Sequence, residues 1–205
     1  MPRLAGWPIV GVAAAFVAVL LAADVALLGT GEAAIRFALR ATARTALVFF
    51  LAAFVASAAA RTWPGARTRW LLANRRYLGV GFAVTHLAHA AAILAFAALL
   101  ADEFRAEEPF VVLVAGGIGY LFVLALLATS FDRTAAWLGP RRWARLHTVG
   151  VHYLWAVFFV TYVPQAARGP VHAAAAALVV GALGLRLAAR RRALPVSVGP
   201  TVGAA

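Results

Sequence analysis

Five histidines carry nearly all the chemistry this chain can offer: His86, His89, His147, His152 and His172. His86 and His89 lie in NRRYLGVGFAVTHLAHAAAI, residues 74–93, an apolar run that follows the arginine pair Arg75–Arg76. Imidazole in hydrocarbon is costly unless it is hydrogen-bonded or bound to something. Three residues apart on a helix places both rings on one face. His147 and His152 fall in a second apolar run, and two imidazoles from facing helices at one depth are a ligand set for haem iron. Zinc would want three or four ligands, a closed cage that is the less common use of histidines in mid-membrane. The competing reading of each histidine is a hydrogen-bonded packing residue; two on one face, with more on another helix, weigh against it. His172 opens the last apolar run and reads as interfacial.

Other chemistries are poorly supplied. The chain has no cysteine, which excludes disulfides and thiolate-ligated zinc or iron–sulfur sites, so any bound iron must use histidine. The acids Asp102, Glu103, Glu107 and Glu108 cluster in one loop, and Asp24 stands alone late in the first apolar run. No HExxH, GxSxG or phosphate-loop pattern occurs.

Helical spacing limits what the histidines can hold. His86 and His89 differ by about 4.5 Å along a helix axis and His147 and His152 by about 7.5 Å, too little for two stacked macrocycles. Each helix therefore supplies one principal ligand, and one haem is the simplest count. Measured from Arg76, His86 lies ~15 Å and His89 ~20 Å into the membrane; measured from Arg145, His147 lies ~3 Å and His152 ~11 Å in. By depth alone the nearest pair is His86 with His152.

The elements that must position these residues are membrane helices. The chain has 205 residues, is 64% hydrophobic and has a mean hydropathy of +0.89, whereas soluble domains are about 45–50% apolar. The fold class is all-α, a polytopic membrane helix bundle forming one transmembrane domain over residues 1–205. About six spans fit, roughly Pro8–Leu28, Arg40–Ala60, Tyr77–Leu100, Pro109–Thr129, Leu146–Val163 and Val171–Ala189. Residues 193–205 read as a short flexible cytoplasmic tail. The N-terminal run through Leu28 is too long for a usual signal core, which favours a first spanning helix.

All nineteen basic residues are arginine, and fourteen fall in the segments before the first span, between the second and third, between the fourth and fifth, and after the sixth. That distribution puts both termini on the cytoplasmic side, and the membrane expected is a bacterial-type inner membrane. The formal net charge of +12 is a topology signal set in blocks between apolar runs, so no nucleic-acid partner is expected. Arg36, Arg40 and Arg44 run against the trend as a stripe on the far side. They read as a protruding helix snorkelling its arginines into headgroups, with neutralisation of buried carboxylates such as haem propionates as the other reading.

Three stretches resemble a known family. NRRYLGVGFAVTHLAH, TSFDRTAAWLGPRRWARLH and, more weakly, TGEAAIRFALRATART are similar to helix three, the loop into helix five, and the start of helix two of the haem-binding membrane subunit of the periplasmic methionine sulfoxide reductase system. That subunit is in the ferric reductase-like transmembrane superfamily, and the resemblance covers roughly residues 29–162. It implies haem ligation by His89 on helix three and His147 on helix five, with Arg75 near the level of an inner-haem ligand. The family's second helix-five histidine would fall near Val160, where this chain has none, and that puts an outer haem in doubt. Depth and resemblance thus favour different pairs, and His86 and His152 stay as competitors.

The expected function is a b-type haem electron-transfer subunit in the bilayer, with haem iron held axially by His89 and His147. With no nucleotide-binding domain, a flavin on a partner protein or a quinol must supply the electrons, and a redox partner on the far side would accept them. The alternative is a cofactor-free transporter or scaffold whose histidines only pack.

Overall fold

A computed structural model describes residues 4–193, and among them every regular element is helical. The helices are α1 (Trp7–Leu28), α2 (Glu32–Thr62), α3 (Ala66–Ala73), α4 (Arg75–Leu99), α5 (Ala101–Glu107), α6 (Phe110–Ala128), α7 (Asp132–Leu138), α8 (Pro140–Tyr162) and α9 (Pro170–Ala193). Nearly all of the expected tail lies outside the described residues. The bundle is a multi-pass membrane architecture: α1, α2, α4, α6 and α9 are each long and apolar enough to cross a bilayer. Helix α8 has spanning length at 23 residues, but Arg141, Arg142, Arg145, His147 and His152 lower its hydropathy below that of the other five. It is the most amphipathic of the long helices: Gly150, Leu154, Phe158 and Tyr162 form its buried face, Arg141, Arg142 and Arg145 are exposed, and His147 and His152 are half-buried.

Helices α2, α4, α6, α8 and α9 close a ring, each against its neighbours, and α1 packs outside on α4 and α2. The centre of the ring is aromatic. Phe50, Phe54, Phe82 and Phe158 are all buried, with Val123, Leu154 and Val179 completing the layer. Phe50 touches Phe54, Phe82 and Phe158 at centroid distances of 5.4, 5.2 and 5.0 Å. The outward faces carry exposed Phe, Val and Leu, most densely on α6, as expected where the solvent is lipid.

Short polar devices fix the ends. Asn74, 4% exposed at the α3–α4 junction, accepts a hydrogen bond from the Gly6 backbone N–H at 2.8 Å and donates to the Trp70 carbonyl, pinning the start of α1. Arg76 pairs with Asp132 at 2.7 Å, tying α4 to α7, and Arg36 bridges Glu32 and Glu107, tying α2 to α5. The turn from α7 into α8 needs Gly139 at φ +78°, followed by Pro140 at the first helical position.

Helices α6 and α8 approach closely at Gly150, where a Cβ would sit 3.1 Å from both Phe122 and Leu126. Gly150→Val should therefore destabilise the bundle by about 1–3 kcal/mol through overpacking, read as a lowered unfolding midpoint in detergent, whereas Gly184→Val, in open space on α9, should leave it unchanged.

Candidate functional site

Two polar levels sit inside the ring, separated by the phenylalanine layer. The lower level is at the arginine-rich end, where a cavity of about 300 Å³ opens between α2, α4, α6, α7 and α8. Its walls include Phe50, Phe54, Phe82, Val123 and Leu154; its polar lining is Arg75, Arg76, Thr129, Ser130, Asp132, Trp143 and His147. His147 stacks on Trp143 at 4.1 Å, one turn earlier on α8. Its Nε2 lies 3.0 Å from Thr129 Oγ1, whose own proton goes to the Ala125 carbonyl at 2.7 Å. With that proton spent, the imidazole must donate from Nε2, which leaves Nδ1 as the free lone pair.

The upper level holds His86 and His89, with ring centroids 5.6 Å apart. His89 Nδ1 lies 3.1 Å from Thr42 Oγ1, and Thr42 donates to Ala38 O at 2.6 Å. By the same reasoning His89 donates from Nδ1 and keeps a bare Nε2, the tautomer that a metal-ligating histidine adopts. His86 is stacked on Tyr120 at 4.9 Å and packed against Phe82 and Phe158. Its Nδ1 and the Tyr120 hydroxyl are buried with no hydrogen-bond partner.

The register of α4 against α8 decides which histidines meet. Arg75 and Gly79 share the cavity lining with His147, and His86 meets Phe158, so the two helices run in the same direction in step. His89 is six to fourteen residues further along α4 than Ala83, Phe82, Gly79 and Arg75, which line the cavity with His147, about 9–21 Å at 1.5 Å per residue. The rings of Phe82, Phe50 and Phe158 fill the space between. His147 lines the lower cavity and His89 does not. Neither does His86 or His152; His152 donates from Nδ1 to Thr148 O at 2.7 Å and sets its ring edge-on to Phe54 at 5.7 Å. His172 lies at the start of α9, at the end opposite the arginine-rich cavity.

The arginine stripe divides. Arg36 is half-buried, ion-paired to Glu32 and Glu107 and set over the Phe96 ring at 5.4 Å, while Arg40 and Arg44 are exposed. The Arg36 hydrogen bond holds the Glu107 carboxyl below its ordinary range, and burial followed by repulsion from Glu107 raises Glu108. Asp24 is 5% exposed, and its Oδ1 has no partner, so it is a buried acid rather than a solvated one. Sequence reading passed over Tyr120, Thr42 and Thr129, which are ordinary in helices until their neighbours are known.

Among the described residues no group of three or more His, Asp or Glu side chains is placed to hold a metal ion; a macrocycle with an imidazole ligand needs fewer. No family model matches the chain, and neither the curated proteins nor the solved structures contain a match to it.

Thr42→Val removes the acceptor for His89 Nδ1–H at nearly constant volume. With the Leu39 carbonyl still beside the ring, it should destabilise the protein by about 1 kcal/mol, the net loss of one hydrogen bond, measurable as a lower unfolding midpoint that Thr42→Ser restores.

Proposed function

We propose that this chain is an integral membrane b-type haem electron-transfer subunit. The observation that carries the reading is the lower cavity: apolar aromatic walls, one imidazole and guanidinium groups, enclosed by helices in a bilayer. Flat apolar cofactors with a few charged substituents are held by such concave, mostly apolar sites. The lining fits a haem with His147 as its imidazole ligand. It offers no second imidazole, and Arg75 is the basic group nearest the position that the family resemblance marks for an inner haem. Bound there, the haem would supply one-electron redox chemistry.

The chain's own residues would do the rest. To hold the iron through Nε2, His147 would give up its Thr129 hydrogen bond and carry its proton on Nδ1 instead, and Thr129 would keep its bond to Ala125 O. Phe50, Phe54, Phe82 and Leu154 exclude water and lower the local dielectric. An unbroken series of rings continues past the cavity, from Phe54 through Phe50 and Phe158 to His86, with successive centroids 5.4, 5.0 and 5.9 Å apart. These rings bridge the two polar levels in the direction an electron would cross the membrane. The donor is a quinol or a flavin on a partner protein, and the acceptor is a redox partner on the far side. The resemblance to ferric reductase-like membrane domains points the same way.

One observation favours the cofactor-free alternative. His89 and His147 each have a threonine partner, so both are satisfied as packing residues without a ligand.

Six crossings, with α8 inside the ring, would place both termini in the cytoplasm of a bacterial-type inner membrane, on the side of the fourteen arginines. A reporter fused after Ala205 should be active only in the cytoplasmic form; activity only in the periplasmic form rejects this orientation.

Pyridine haemochrome assay should return one haem per chain. His147→Ala should strip the haem, while His86→Ala and His89→Ala should retain it, because the phenylalanine layer keeps them from the cavity. Loss on His89→Ala with an unchanged spectrum on His147→Ala would move the site to the upper level.

A further inference from the structure

Beside the lower cavity, whose lining includes Phe54 and Arg75, stands a cluster of arginines that makes no ion pair with a carboxylate among the described residues. Arg75 Nη1 donates to Ser57 Oγ at 3.2 Å, and Arg186 Nη1 donates to the Phe54 carbonyl at 2.7 Å. Ser57 and Phe54 are three residues apart on α2, so guanidinium groups from α4 and α9 converge on one helix face. Arg186 also lies over the Phe54 ring at 4.2 Å. Arg61, one turn beyond Ser57, and Arg190, one turn beyond Arg186, add their charge: both act on Arg186, as does Arg75. Of the seven side-chain carboxylates, Asp132 alone lies at this end, and it is held by Arg76. Half-buried guanidinium groups whose acceptors among the described residues are a hydroxyl and a carbonyl repel one another at the membrane edge, where that repulsion is poorly screened.

We propose that Arg75 and Arg186 form an oxyanion subsite at the cavity mouth, taking a carboxylate or phosphate oxygen in the space where their forks converge. Planar guanidinium forks suit both groups. The oxyanion has two possible sources: carboxylates carried by the cavity's own occupant, which rests on the haem reading above, or a free phosphate group from the aqueous side, which does not.

The test uses the full chain in detergent, titrated with inorganic pyrophosphate at constant ionic strength while the unfolding midpoint is followed. Arg75→Gln, Arg186→Gln and, as a control in the exposed last turn of α9, Arg191→Gln are compared with the unaltered chain. A free-phosphate site raises the midpoint in the unaltered chain and in Arg191→Gln, with affinity weakened about tenfold or more by loss of either fork. An occupant-borne carboxylate gives no pyrophosphate response in the coloured protein; instead Arg75→Gln and Arg186→Gln shift the haem reduction potential to more negative values, since a positive charge favouring the reduced state is removed, and Arg191→Gln does not. If Arg186→Gln fails to fold, Arg75→Gln, which gives up only the bond to Ser57, carries the comparison. A colourless protein with an arginine-dependent pyrophosphate response would sink the haem reading and leave the subsite standing. Absence of both the pyrophosphate response and the potential shift overturns the subsite.

Discussion

The layer of Phe50, Phe54, Phe82 and Phe158 is the constraint on which the rest of this structure depends. Five helices contribute to or pack on it, and it divides the interior of the ring into two polar compartments. Burial of large aromatic side chains against one another supplies close contact without polar atoms that would need partners. In a bilayer, where lipid is as apolar as leucine, such contact between helices does the work that the hydrophobic effect does in water. Gly81 and Gly150 serve the same end, letting Phe49 of α2 approach α4, and Phe122 and Leu126 of α6 approach α8, to near-contact with the backbone.

Polar groups within the ring follow from this division. Above the layer, Thr42 turns its hydroxyl to His89 and fixes the tautomer of that ring; below it, Thr129 does the same for His147. His86 Nδ1, the Tyr120 hydroxyl, Asp24 Oδ1, Thr62 Oγ1 and Arg76 Nε are buried without a partner among the described residues, and Arg75 and Arg186 pair with no carboxylate among them. An unpaired buried polar group is costly.

Much of the fold was legible in the sequence because membrane helices announce themselves by length, hydropathy and arginine blocks. The span edges at Leu28 and Tyr77–Leu100 fall within a residue or two of α1 and α4. Helix α8 begins at Pro140, six residues earlier than expected, because an amphipathic start with three arginines does not register as apolar. The four candidate histidines were legible as residues but not as a constellation. Depth measured from flanking arginines paired His86 with His152, and motif position paired His89 with His147. What neither could show is that bulky phenylalanines fill the mid-membrane space between the two polar levels. The arginine subsite was hidden for a similar reason: Arg75 and Arg186 are 111 positions apart in the chain and look like separate topology signals until α4 and α9 are both placed against α2.

The central claim is that the lower cavity holds a redox-active haem. The most direct measurement is the visible spectrum of the intact chain, purified from haem-replete cells, before and after dithionite. The account predicts a Soret band that shifts on reduction and that accompanies the protein through purification. A colourless preparation of folded protein would contradict it.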